Sequence, residues 1–490
     1  MYLGIDLGTS EVKLLLLDGD GRIVGTAGSA LTLSSPQPLW SEQNPVDWWR
    51  ATGEAVSRLR AAHPAEFAAV RGIGLSGQMH GAVLLDDGDA VLRPAILWND
   101  GRSHAECAEL EAAAPRLHDI AGNLAMPGFT APKLLWVRKH EPETFAQVRS
   151  VLLPKDWLRL QLTGDKVSDP SDAAGTLWLD VARRDWSDEL LAACGLTRAH
   201  MPRLVEASQP SGVLKPELAK AWGLGPEVVV AGGAGDNAAS AIGIGATRPG
   251  DGFISLGTSG VLFVVNDRYR PNPASAVHAF CHALPQRWHQ MSVMLSAASC
   301  LRWFCQLVGS DEATLLAELA PDDSVVNDRV DRTASAPIFL PYLAGERTPH
   351  NDPFAPGVFH GLRSATTRAD CTYAVLEGVA FGLADGLDAL RAAGTEVHQL
   401  SLVGGGARSA FWAGLIADTL GVDVAVHAGS EAGGALGAAR LGFLAAGGSV
   451  DAVCTRPPVA ALHCPDPARA ARLAPRLARF RDLYRRLRGA

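Results

Sequence analysis

The chain has 490 residues, too many for one compact core at roughly 100 to 200 residues per domain, which points to two large domains or three ordinary ones. Hydrophobic residues make up 47% and charged residues 20%, which excludes wholesale disorder. The 44 Lys and Arg against 52 Asp and Glu, net −8, give no whole-chain electrostatic reason to bind nucleic acid or an anionic membrane, so an anionic ligand needs a local site.

The first segment, MYLGIDLGTS, has neither a basic nor a long apolar stretch before Asp6, so it does not read as a signal peptide. No charge-free apolar run reaches the roughly 18 residues that span a bilayer. The eight cysteines form no CxxC pair and read as reduced, mostly buried thiols, which together place the chain in the cytoplasm. MYLGID and VKLLLL flank Leu7–Ser10 (LGTS), a pattern of two strands joined by a Gly-containing turn. Such a turn lets backbone N–H groups approach a phosphate, with the Thr9 and Ser10 hydroxyls as added donors and Asp6 placed to attract hydrated magnesium; a purely structural hairpin is the alternative.

Next comes VRGIGLSGQ (70–78), a strand ending in Gly. It is followed, 158 residues after Gln78, by Asp236 within EVVVAGGAGDNAASAIGIG (227–245): strand, turn, acidic residue, small-residue helix. A carboxylate at such a strand end suits a general base, since ligands gather there in α/β sheets, and it equally suits an N-cap.

LGTS then returns at Leu256–Ser259, 249 residues on, between DGFIS and VLFVV. VHQLSLVGGG (397–406) resembles the second segment, and VDVAVHAGSEAGGALGAAR (422–440), with Glu431 in the acidic position, resembles the third. Three pairs in one order indicate a duplicated core with differently placed insertions and a boundary near Pro249, giving halves 1–248 and 249–490. Gly404, Gly405 and Gly406 leave room for a flat base or its phosphate without forming a GxGxxG fingerprint. The two small-residue helices suit close approach where two domains meet, or an ordinary tight core. Cys300 and Cys305, around Trp303, read as a packing helix rather than a redox or metal pair. At the C-terminus, Leu473, Leu477, Phe480, Tyr484 and Leu487 recur at helical spacing among eight Arg, which predicts a docked apolar stripe with a solvated Arg face.

Ten stretches together carry a family resemblance. They are GIDLGTSEVK (4–13), SGQMHG (76–81), AILWNDGR (95–102), MPGFTAPKLLW (126–136), LLPKDWLRLQLTG (152–164), SDAAGTLWLD (171–180), AGDNAA (234–239), SLGTSG (255–260), LPYLAGERTPH (340–350) and LVGGGARSAFW (402–412). In these the chain resembles the FGGY family of carbohydrate kinases, and most closely its xylulose-phosphorylating bacterial members. The resemblance implies an α/β fold of two duplicated actin-like (ribonuclease H-like) domains around a central cleft, the first half mainly binding sugar and the second mainly nucleotide. It implies ATP-dependent phosphorylation of D-xylulose at its 5-hydroxyl, with another ketose such as ribulose, or an actin-like or chaperone-type ATPase, as rivals. Asp236 matches the catalytic base and Asp6 the acidic residue near Mg2+. Thr9, Ser10 and Lys13 match the first phosphate loop, Thr258 and Ser259 the second, and Gly405 and Gly406 the nucleotide-side glycines. Met79 and His80 fall on the substrate clamp, with Trp98, Asp100 and Asn237 nearby; a polyol needs fixed donors and acceptors and a flat apolar wall. His80 also has the bland reading of a satisfied structural histidine. The partners implied are a ketopentose and ATP, with a homodimer as a family expectation. Glu11 stands where the family commonly has Gly, and a positive φ there would strain it.

Overall fold

The computed structural model describes residues 1–319, 332–428 and 433–488. In the first half, β1 (Tyr2–Leu7) pairs antiparallel with β2 (Glu11–Leu17), which pairs with β3 (Ile23–Ala30). On the other side of β1 lies β4 (Gly72–Gly77), parallel to it, then β6 (Val229–Ala231), parallel again, and the edge strand β5 (Pro210–Val213), antiparallel. The second half repeats this arrangement. Here β7 (Asp251–Leu256) pairs antiparallel with β8 (Gly260–Asn266), and β8 with β10 (Trp288–Met294), which an extra edge strand, β9 (His278–Cys281), flanks. On the far side of β7 stand β11 (Gln399–Val403), β12 (Asp423–His427) and β13 (Val459–His463), in parallel, parallel and antiparallel pairings.

The duplication read from LGTS is therefore a duplication of strand order and direction, and the fold is that of two actin-like domains. Each strand alternates between sides, and since β1 and β7 are covered on both faces, nearly every residue in them is buried.

The helices that position the site are α1 (Pro45–Ala62), α2 (Thr130–His140), α3 (Pro154–Thr163), α4 (Asp236–Gly243), α5 (Ala298–Val308), α6 (Arg368–Ala392), α7 (Gly433–Ala445) and α8 (Pro467–Leu487). The small-residue helices α4 and α7 meet each other, and α7, though it belongs to the second half, also lies against β1 and β4 of the first. Glycine makes this possible. A Cβ at Gly437 would collide with the Ala239 carbonyl oxygen, one at Gly4 with that of Ala435, and one at Gly74 with that of Ala438. Arg440 closes the end of the seam by donating to the Ile242 and Gly243 carbonyls at 2.9 and 3.0 Å. The small-residue runs thus serve the junction between the halves. Glu431 lies outside the described residues.

The C-terminal helix α8 docks as its spacing predicts: Leu473, Phe480 and Tyr484 are buried, and Leu477 and Leu487 pack beside them. The expectation of a fully solvated Arg face is corrected at Arg476. This residue shares the stripe and is buried in a two-pronged pair with Glu377 of α6, both contacts at 2.6 Å. Pairing is what lets a guanidinium sit there, since an unpaired buried charge costs several kcal/mol. Among the described residues the cysteines are all free, and no helix is long and apolar enough to cross a membrane.

Candidate active site

Both hairpin turns sit at the cleft and are anchored by their carbonyl groups. In the first, Gly8 N–H donates to Glu11 O, Leu31 N–H to Ser10 O, and Gln43 Nε2 to Thr9 O at 2.7 Å. In the second, Gly257 N–H donates to Ser259 O, while Ala297 and Ala298, at the start of α5, donate to the carbonyls of Thr258 and Gly257. That places the helix carrying Cys300 and Cys305 directly behind the second turn. With the carbonyls held by the scaffold, Ser10, Thr258 and Ser259 are exposed at the turn tips.

Thr9 differs: its hydroxyl accepts from Trp98 Nε1 at 2.9 Å and donates to Gln78 Oε1 at 3.2 Å, and so ties the first turn to the segments bearing Gln78 and Trp98. Gln78 Nε2 donates onward to Gln43 Oε1, which also accepts from Trp48. Gln43 and Gln78 are parts of the site that the residue-level reading did not single out. Gln78 stood inside SGQMHG, whereas Gln43 had no local signal. Glu11 has ordinary extended backbone, paired in register with Ala30, so the feared strain does not arise; its carboxylate lies over Gly28.

Asp6, on β1, stands between Ser76 of β4 and Lys13 of β2 in the sheet register. Burial raises its carboxyl pKa above the usual value, against the pull of the neighbouring Ser76 hydroxyl and the Lys13 charge. Asp236 opens α4 as its first residue rather than as the cap, which is Gly235. Its Oδ1 accepts from Asn237 N–H at 2.6 Å and Asn237 Nδ2 at 2.9 Å, leaving Oδ2 without a protein donor among the described residues. Burial, then the nearby Asp6 charge, pushes the Asp236 carboxyl up to about 6. Both carboxylates therefore stand in one crowded, half-buried spot where each resists ionisation.

That is a setting a divalent cation relieves, and the hard-oxygen donor set suits Mg2+. Gly434 of α7 adds the space: a Cβ there would meet the Asp6 carboxylate at 2.8 to 3.0 Å. Asp6 fits as the residue that would hold the ion.

Among the residues expected at the sugar, Met79 lies over Gly235, where a Cβ would meet its side chain at 2.9 to 3.1 Å, and so flanks Asp236. His80 has φ +70°, and its Nδ1 sits 2.8 Å from the Gly175 carbonyl, which fixes the proton on Nδ1. Burial, helped by the Lys133 charge, lowers its pKa to about 3, so the ring is neutral and Nε2 is an acceptor. Trp98 is 49% exposed, with its indole N–H held by Thr9. Asp100 is placed differently from the other predicted sugar residues: its side chain is fully buried and engaged by Arg102, at 2.7 Å, and by Ser41 N–H. Its oxygens are spent on holding the loop that bears Trp98.

A cavity of about 830 Å3 opens beside this spot, lined by Asn237 and Ser240 of the first half and by Gly404, Gly405 and Arg408 of the second. Asn237, predicted on the sugar side, thus faces the opposite side of Asp236 as well. Gly405 lines the cavity, whereas Gly406 packs beneath it, where a Cβ would run into Leu256 just before the second turn. Arg408, inside the LVGGGARSAFW stretch, was not singled out by the sequence reading and supplies a cation to this wall.

Two matched domains, two anchored hairpin turns and a carboxylate pair beside a cavity lined by both halves make up the architecture of a two-domain carbohydrate kinase. Residues 1–243 match the N-terminal domain of the FGGY family of carbohydrate kinases and residues 252–446 its C-terminal domain, and the chain belongs to that family. It is a phosphotransferase. It is 52% identical to the xylulose kinase of Escherichia coli over 489 residues, covering 99% of each chain. Among solved structures it superposes on the "xyloylose kinase" of Brucella ovis with TM-score 0.95 and 52% identity, and on the xylulose kinase of Rhodospirillum rubrum with TM-score 0.89 and 29% identity, each over 99% of both chains.

Proposed function

We propose that this chain transfers the γ-phosphoryl group of ATP to the 5-hydroxyl of D-xylulose. The observation that carries the reading is Asp236: a carboxylate of raised pKa, with one oxygen fixed by Asn237 and the other free, flanked by Met79 on the sugar side and by the cavity on the other. The free Oδ2 accepts the hydroxyl proton as the sugar oxygen forms its bond to the γ-phosphorus and the bond to the β–γ bridging oxygen breaks, releasing ADP. A pKa of about 6 makes Asp236 a stronger base than an ordinary carboxylate while leaving it ionised at neutral pH.

His80 Nε2 accepts from a sugar hydroxyl, and Trp98 provides the flat wall. Ser10, Lys13, Thr258 and Ser259 hold the phosphates, Gly405 and Arg408 border the nucleotide, and the two halves, 1–248 and 249–490, act as sugar and nucleotide sides. Asp6 would hold Mg2+, which when bound would neutralise charge on the phosphates. The enzyme works in the cytoplasm on a neutral ketopentose, and the homodimer is the expected assembly. A coupled ADP-release assay across D-xylulose, D-ribulose and other ketoses tests the substrate: kcat/KM is highest for D-xylulose, and a higher value for any other ketose overturns that assignment.

A further inference from the structure

The MPGFTAPKLLW stretch wraps around the sugar pocket, and one of its residues is costly to explain by packing. Lys133 of α2 is fully buried, and among the described residues no carboxylate lies within ion-pair distance of its ammonium. Burial drives its pKa well below the usual lysine value. A Met or Leu would fill the same space without that penalty. Instead the ammonium donates to two backbone oxygens, His80 O at 2.8 Å and Gly128 O at 2.9 Å.

The same His80 carbonyl accepts from Thr130 Oγ1 at 3.1 Å, and Phe129 sets its ring edge-on to the imidazole, 4.8 Å between centres. His80 is in the left-handed region, which a β-carbon disfavours and which needs outside support. Across the ring, Gly175 holds Nδ1 and has no side chain, since a Cβ would collide with the imidazole. One helical turn therefore grips the backbone of His80 while the opposite wall grips its ring. Gly128 carries the clamp to the next pocket residue, because a Cβ there would lie 2.6 Å from the Trp98 carbonyl oxygen.

We propose that Lys133, assisted by Thr130, is a positioning residue that sets ketose affinity through His80, fixing its left-handed backbone so that Nε2 faces the sugar. This rests on the reading of His80 as a sugar contact. The ammonium is spent on two backbone carbonyls, so its effect on the ketose passes through the residues they position, chiefly His80.

Steady-state kinetics on a double-mutant cycle tests it. Lys133→Met raises KM for the ketose about tenfold, the worth of a charge-assisted hydrogen bond, with kcat within about threefold and KM for ATP unchanged. In a His80→Ala background the same substitution adds less than about twofold, because the residue it positions is gone. Multiplying effects in the double variant, or parallel losses in kcat and both KM values, overturn the role of Lys133 while leaving the sugar site standing. A ketose KM unmoved by His80→Ala overturns the sugar-contact reading itself. Should Lys133→Met not fold, Thr130→Val removes one donor to the same carbonyl without touching a charge, and the same cycle decides with a smaller shift.

Discussion

Asp236→Asn yields a folded protein that binds nucleotide and no longer phosphorylates ketose, with turnover lower by at least about 10³-fold. Positioned general bases are worth 10² to 10⁴, and here the base also carries the charge that orients the attacking hydroxyl. Asparagine has the same shape, and its side-chain oxygen can still accept from Asn237 N–H, so α4 keeps its first turn. What is lost is a carboxylate oxygen of raised proton affinity that no protein donor occupies among the described residues. Because Asp236 adds a second negative charge beside Asp6, where the phosphates must sit, removing it does not weaken nucleotide binding. ADP release in the presence of ketose measures the loss, and calorimetric titration with nucleotide measures the retained binding. Near-wild-type turnover refutes the assignment.

The same carboxylate sets the acid limb. A group whose pKa is raised to about 6 holds its proton below that pH and cannot take another, so kcat/KM for the ketose rises about tenfold per pH unit up to about 6 and levels off above it. His80 adds no second limb over this range, since its pKa of about 3 keeps the ring neutral throughout. A profile that stays flat from pH 5 to 7 separates Asp236 from the proton transfer.

The parts of this design that were legible in the sequence are those written in local patterns. Each LGTS turn lies between apolar strands, and the strand that ends in Asp236 is announced by its valines and glycines. The hairpins, the duplicated order and the C-terminal stripe all followed from such patterns. Pairings between distant residues leave no such trace. Asp100 looked like a free pocket acid, and only its closeness to Ser41 and Arg102 shows it as the latch of a loop. Arg476 looked like one more surface arginine, although its partner Glu377 lies 99 residues away. Gln43, which holds the Thr9 carbonyl from 34 residues away, belongs to the same class. Family resemblance supplied positions for Met79 and His80 but not the reason for Lys133, because a buried amine that serves two carbonyls is visible only when the helix and the left-handed residue are seen together.

Gly437→Ala is the second substitution with a large expected effect, and it acts on the seam between the halves. The added methyl lies within collision distance of the Ala239 carbonyl oxygen, a backbone atom of α4 that has no rotamer with which to escape. Either α4 and α7 separate by on the order of 1 Å, or α7 slides along β1 and β4, where Gly4 and Gly74 already hold it in close contact. Overpacking of this kind costs about 3 kcal/mol, a fall in Tm of roughly 6 to 12 °C for a domain of this size. Activity falls further than stability does. α4 begins at Asp236 and α7 carries Gly434 beside Asp6, so the shift reaches both carboxylates, and a misplacement near 1 Å can cost about 10² in rate. The matched control is Gly53→Ala in α1, where no atom lies within 4 Å of the new Cβ; there helix propensity acts alone and raises stability by about 0.5 to 1 kcal/mol. Thermal melts and ketose turnover on the pair separate propensity from packing: a Gly437→Ala protein with the parent Tm and rate would mean that the two halves are not interlocked through their glycines.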